Sequence, residues 1–315
     1  MFKTGLKRYE YADLKSFTSN VGLKVRKLIN PVWRHILKLG TSRKVIVEAY
    51  PKLEQKKPYI FVANHSFDED AISVLQTIDR NAYMLQGSTD QMEHNPVFWA
   101  LWLNGMIYVN RMDRESRRAS IEKMKRVLNA GNSVVLFPEG NYNNTENQLM
   151  MPLFFSPYIL SKELGLEVVP VISFNDIGSN MIYIRAGEPI NLAMYEKYEA
   201  MPVLRDKMVT IIWDIMEEHT IPQKRKELGE NPRRAYMEVR KAVYNCQKWH
   251  RDVWEEELIC YSGHGVTTPL QARSFVDDVK VTSKNAVIFA DMLVRREEDK
   301  KYDLKEYLRR NIKLI

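Results

Sequence analysis

Long apolar runs are missing from this 315-residue chain: no uninterrupted stretch reaches the about 18 residues that a membrane-crossing helix needs, so no spanning segment is expected. The first eight residues, Met1 to Arg8, are not followed by an apolar core and a cleavage site, and no secretory signal is expected either. Only two cysteines occur, Cys246 and Cys260, which rules out a disulfide framework and points to a reducing compartment. With 13 Gly and 13 Pro there is no low-complexity block, and no internal repeat is found. The G-x-S-x-G elbow of serine hydrolases is absent, which counts against a serine nucleophile. What is present is ordinary for a folded protein: 45% hydrophobic and 28% charged residues, enough for one large domain with or without an appendage. The formal charge of +7 suits an anionic membrane surface or a nucleic acid. A nucleic-acid binder would show binding that weakens steeply with salt, and no recognised motif supports that reading, so no nucleic-acid partner is expected.

Three regions follow from composition. Residues 1–44 are the basic end: residues 1–48 hold roughly eleven Lys and Arg against about three acids. Helical spacing runs from Ala12 to Ile29 through Leu14, Phe17, Val21, Val25 and Leu28. Asn30-Pro31 reads as a boundary and as the cap and first position of a second helix, which Gly40 stops. Such a basic amphipathic helix pair suits a lipid interface with anionic headgroups, or else packs on the domain with its basic face solvated. Residues 45–220 alternate short apolar runs with helical stretches. Strands are expected at Val45–Val47, Tyr59–Val62, Ala82–Leu85, Met106–Val109, Ser133–Phe137, Glu167–Ile172 and Met181–Arg185, and helices at about 70–79, 96–104, 114–130 and 154–164. A further helix is expected from near Pro202. The fold class is therefore α/β, a layered, mostly parallel sheet with flanking helices, preceded by the amphipathic helix pair. Residues 221–315 read as a helical C-terminal extension. There, Cys246-x3-His250 and Cys260-x3-His264 are read as ordinary cysteines near histidines, and no metal is expected.

One stretch organises the rest: Tyr59-Ile-Phe-Val-Ala-Asn-His-Ser-Phe-Asp-Glu-Asp70. A buried strand ends in Asn64-His65, and acids precede an apolar helical segment, placing an imidazole on a strand-to-helix turn with carboxylates behind it. That is a general-base arrangement, one ring nitrogen held and the other available. Residues five apart on a regular helix lie about 140° apart, so His65 and Asp70 meet only if His65 sits on the turn before the helix. Asp68 and Glu69 compete for the same role.

Four blocks stand in order: Asn64-His65-x4-Asp70, Gly105-Met-Ile-Tyr-Val-Asn-Arg111, Phe137-Pro-Glu-Gly140 and Val168-Val-Pro-Val171. In order and spacing they resemble the glycerolipid acyltransferases, the lysophosphatidate and glycerol-3-phosphate acyltransferases among them, over about residues 45 to 195. The resemblance implies His65 as the base and Asp70 as its orienting carboxylate. It places Arg111 at the acceptor phosphate, Glu139 and Gly140 at the substrate, and Val169-Pro170-Val171 at an acyl pocket or a buried strand. Asn64, Ser66 and nearby backbone N–H groups are expected to supply hydrogen bonds to the site. The chain departs from the family after Gly140, where Asn141-Tyr142 replaces the usual Thr and Arg, so the acceptor headgroup need not be a simple phosphate. The implied activity is transfer of a fatty acyl chain from acyl-CoA or acyl carrier protein, as co-substrate and with no other cofactor, to a lysophospholipid hydroxyl. Lysophosphatidate is the simplest acceptor, and the implied place is the cytoplasmic face of a membrane. A non-catalytic lipid-binding or scaffold protein of the same fold is the alternative.

Overall fold

The computed structural model describes residues 20–67, 69–87, 105–110, 113–140, 143, 149–150, 153–176 and 179–219. Seven strands form one sheet: β1 (Lys44–Ala49), β2 (Ile60–Ala63), β3 (Ala82–Gly87), β4 (Ile107–Val109), β5 (Ser133–Leu136), β6 (Val168–Asp176) and β7 (Met181–Ala186). Their order is β1-β7-β6-β2-β5-β3-β4. Strands β2 to β6 are parallel, and β7 returns antiparallel on β6 with β1 beside it. The central strands β2, β5 and β6 are buried at every residue, as both faces of a parallel sheet must be covered. Edge strand β1 is largely exposed and carries Lys44 and Glu48.

Helices cover both faces. On one lie α1 (Asn20–Leu37) and α2 (Asp70–Thr77), which bury Leu37, Val74, Leu75 and Ile78 against Phe61, Val135, Val169 and Val171. On the other lie α3 (Arg114–Asn129), α4 (Ser156–Leu164) and α5 (Lys197–His219), with Met124, Leu160, Met208 and Trp213 in a second core. Helix α3 starts where it does because the Asp113 carboxylate accepts from the N–H groups of Glu115 and Ser116.

Three expectations are corrected. Asn30-Pro31 is not a boundary: α1 runs through it without a break. Pro31 lies on the exposed side, where water can satisfy the carbonyl its missing N–H leaves behind, while buried Asn30 and Leu37 hold both halves against the domain. Helix α5 starts at Lys197, not near Pro202, which falls inside it. Strand β6 continues to Asp176, because β7 supplies antiparallel partners from Val171 to Asp176. Pro170 therefore sits in a central strand. Its carbonyl accepts from Gly187 N–H, so its missing N–H faces the same side, one position before the β6–β7 ladder begins. The helix expected at 96–104, all of residues 1–19 and the whole extension 221–315 with its Cys/His pairs fall outside the described residues.

Gly105 carries a direct prediction. Its φ is +99°, and a Cβ there would lie 2.7 Å from the Tyr83 ring. Gly105→Ala combines about 1–2 kcal/mol of backbone strain with about 1–3 kcal/mol of overpacking against the buried ring. The expected result is a clear drop in the thermal midpoint; an unchanged midpoint would contradict the packing of this turn.

Candidate active site

The site forms at the C-terminal ends of β2, β5 and β6, where loops leave a parallel sheet. Chain β2 ends at Ala63, and residues 64–69 turn into α2, whose first residue is Asp70. His65 thus lies on the turn and Asp70 at the helix start, the one arrangement that lets residues five apart face each other. The Asp70 carboxylate is fully buried, with both oxygens 3.0 Å from His65 Nδ1. Its Oδ2 also accepts from the backbone N–H of Ser66 (2.6 Å) and of Phe67 (3.2 Å). These donors, together with the positive end of α2, satisfy the buried carboxylate. With Nδ1 turned to this acceptor, the imidazole proton sits there and Nε2 is left as the basic nitrogen. The His65 side chain keeps 14% of its surface exposed, so a substrate hydroxyl can reach the ring.

Glu69 is removed from the competition by its own partners. It accepts from Ser42 N–H at 3.2 Å and from the Ser42 hydroxyl, and pairs with Arg43 at 3.5 Å. Asp68 lies outside the described residues.

Asn64 is buried, and its amide is turned to the protein. Its Nδ2 donates to Ser66 Oγ (2.9 Å) and to the Ser173 carbonyl (3.0 Å), while its Oδ1 accepts from Ser173 N–H (2.8 Å). It ties the end of β2 to the extended part of β6. Below the dyad, Ser73 Oγ donates to the Asp70 carbonyl (2.8 Å) and meets Ser173 Oγ (2.8 Å). Glu139 is fully buried and accepts from His65 N–H at 2.8 Å. The N–H groups of residues 65, 66 and 67 are thus committed to Glu139 and Asp70. They do not supply the site hydrogen bonds expected of this turn. Gly140 closes a turn on Phe137 O at 2.9 Å with φ +72°, a conformation glycine adopts without strain. Arg111 lies outside the described residues, between β4 and α3; of the arginines that follow it, Arg114 and Arg118 are exposed.

Sequence reading missed Ser73 and Ser173. The signal for Ser173 was available: a hydroxyl interrupts the apolar run Val168-Val-Pro-Val-Ile172, and a buried hydroxyl needs a partner.

Residues 44–173 match the acyltransferase family, and this span contains His65, Asp70, Arg111 and Glu139. A 1-acyl-sn-glycerol-3-phosphate acyltransferase of Chlamydomonas reinhardtii is 26% identical over 115 residues, 36% of this chain and 33% of that protein. The Saccharomyces cerevisiae protein of the same name is 24% identical over 196 residues, 58% of this chain and 64% of its own length. The chain thus spans about one third to two thirds of these relatives. The crystal structure of the Thermotoga maritima 1-acyl-sn-glycerophosphate acyltransferase aligns with a TM-score of 0.46 at 18% identity, covering 68% of this chain and 88% of that one.

Proposed function

We propose that this acyltransferase-family chain moves a fatty acyl group from the thioester of acyl-CoA or acyl carrier protein to the hydroxyl of a lysophospholipid, with lysophosphatidate as the simplest acceptor. The observation that carries the reading is the His65–Asp70 pair: a reachable imidazole whose Nδ1 is fixed by a fully buried carboxylate. His65 Nε2 takes the hydroxyl proton as the oxygen attacks the thioester carbonyl. The tetrahedral intermediate collapses with loss of the thiolate, which receives the proton back from the imidazolium. No protein nucleophile takes part. Asp70 keeps the ring in the tautomer that this step needs and balances the imidazolium that forms. In this reading Arg111 binds the acceptor phosphate, a role that suits a guanidinium through its paired donors. The names of the curated relatives support the acceptor class. The test is transfer of labelled acyl groups from both donors to a panel of lysolipids. Product with lysophosphatidate supports the reading; no product with any acceptor, from folded protein, refutes it.

The same reading puts the protein on the cytoplasmic face of a membrane, as a peripheral or monotopic protein. Among the described residues no helix is long and apolar enough to cross a bilayer. Helix α1 instead turns its apolar stripe outward. Val21, Val25, Leu28, Val32 and Ile36, with Leu39 just past its end, are exposed, Leu28 at 78% and Leu39 at 86%, while Arg26 and Asn30 are buried on the inner side. Residues 21 to 39 cover five turns at about 3.6 residues per turn, the period of a straight stripe suited to a flat surface and not the 3.5 of a coiled coil. Exposed Lys24, Lys27 and Lys38 run along one border of the stripe, where anionic headgroups would meet them. Burial draws the Arg26 guanidinium below its usual range and lifts the Tyr83 hydroxyl to about 12, and the contact between the two partly opposes both shifts. Val32→Asp with Ile36→Asp is expected to cut binding to anionic vesicles at least tenfold without lowering the thermal midpoint, since both side chains face outward. Undiminished binding would move the membrane contact elsewhere.

A further inference from the structure

The loop that leaves β5 holds His65 at three separate places. Glu139 Oε1 accepts from the His65 backbone N–H at 2.8 Å. Asn143 N–H donates to the His65 carbonyl at 2.6 Å. The Phe137 ring lies beside the imidazole, with centroids 4.7 Å apart and planes at 41°. All three residues come from one short stretch, and β5 is the parallel neighbour of β2 with Val62 opposite Leu136, so the two loops emerge side by side. Glu139 and Asn143 are both fully buried.

The proposed chemistry uses neither Glu139 nor Asn143, yet the contacts divide the geometry of His65 between two loops. Asp70 fixes the rotation of the ring. Glu139 and Asn143 fix the peptide planes on either side of His65, and hence where its Cα–Cβ bond points. Gly140, with φ +72°, turns the chain between them so that the carboxylate faces inward. We infer that Glu139 is a positioning residue for His65 and that the Phe137–Asn143 loop sets the base in place, instead of Glu139 binding substrate. The inference rests on the reading of His65 as the base.

The test compares Glu139→Ala with Glu139→Gln in the full chain, reading kcat and KM for lysophosphatidate. In parallel, proton NMR reads the His65 Nδ1–H resonance, which reports its bond to Asp70 whatever His65 does in turnover. Glu139→Ala is expected to lower kcat about 100-fold, the effect of a misplacement of about 1 Å at a reacting group, with KM unchanged. The NMR signal should broaden. Glutamine retains an oxygen that accepts from His65 N–H, and it is expected to recover most of the kcat and the sharp signal. A rise in KM with kcat preserved, or a glutamine variant as impaired as the alanine one, overturns the inference. If Glu139→Ala fails to fold, Phe137→Leu, which removes the ring contact alone, is expected to lower kcat with KM unchanged; unchanged kcat counts against the loop's role. Full turnover in His65→Ala would refute the base reading, while the NMR arm would still decide whether Glu139 sets the ring.

Discussion

His65→Ala is expected to lower acyl transfer by about 10²–10⁴-fold, the range that a positioned general base contributes, while leaving the fold in place. The ring is partly exposed, and the two backbone bonds of residue 65, to Glu139 and from Asn143, do not depend on the side chain. Truncation removes the contact with Phe137 and the bond to Asp70, but the Asp70 carboxylate keeps its two backbone donors, Ser66 N–H and Phe67 N–H. The charge is therefore not abandoned in an apolar interior. Turnover and thermal midpoint should separate: kcat collapses and the midpoint moves little. Retained turnover would remove His65 from the mechanism. A large fall in the midpoint would show that the side chain holds the turn together.

Asp70→Asn should fail in a different way. The aspartate oxygens accept from three donors: two backbone N–H groups and His65 Nδ1–H. Asparagine has one oxygen. If that oxygen serves Ser66 and Phe67, the NH₂ group faces Nδ1 and forces the proton onto Nε2, the wrong tautomer for a base. If the oxygen serves Nδ1, the NH₂ group points at backbone donors and leaves them unsatisfied in a buried place. The first outcome abolishes the base, with a loss on the order of 10³–10⁴-fold, as tautomer loss does in other His–Asp pairs. The second costs about 1–3 kcal/mol of stability. The variant is therefore expected to lose turnover by the first route or, unlike His65→Ala, stability by the second. Turnover and thermal unfolding measured on both variants check this contrast. A stable and active Asp70→Asn would show that the buried carboxylate does not orient the base.

The two variants also mark where sequence reading ends. The strands were legible because Ile60-Phe-Val-Ala63 and Ser133-Val-Val-Leu136 are short apolar runs of the kind a two-sided parallel sheet buries. The place of His65 on a strand-to-helix turn was legible for the same reason. The choice among Asp68, Glu69 and Asp70 was not decided by the residues alone, since it depends on where α2 begins and on Ser42 and Arg43 capturing Glu69 from another part of the chain. The bonds of Asn64 to Ser173 and of His65 to Glu139 join residues 109 and 74 positions apart. They exist because β2 lies between β5 and β6, a strand order that local patterns do not encode. Pro31 misled for a related reason: cap-plus-proline is a local signal, and the packing of α1 on the domain overrides it.

The most direct test of the central claim is a time course of labelled acyl transfer from acyl-CoA and from acyl carrier protein to lysophosphatidate, run with the full chain and with its folded His65→Ala variant. Phosphatidate formed by the first and lost in the second is the expected result. Equal product from both, or none from either, would contradict the account of His65 and Asp70 as the centre of an acyl-transfer site.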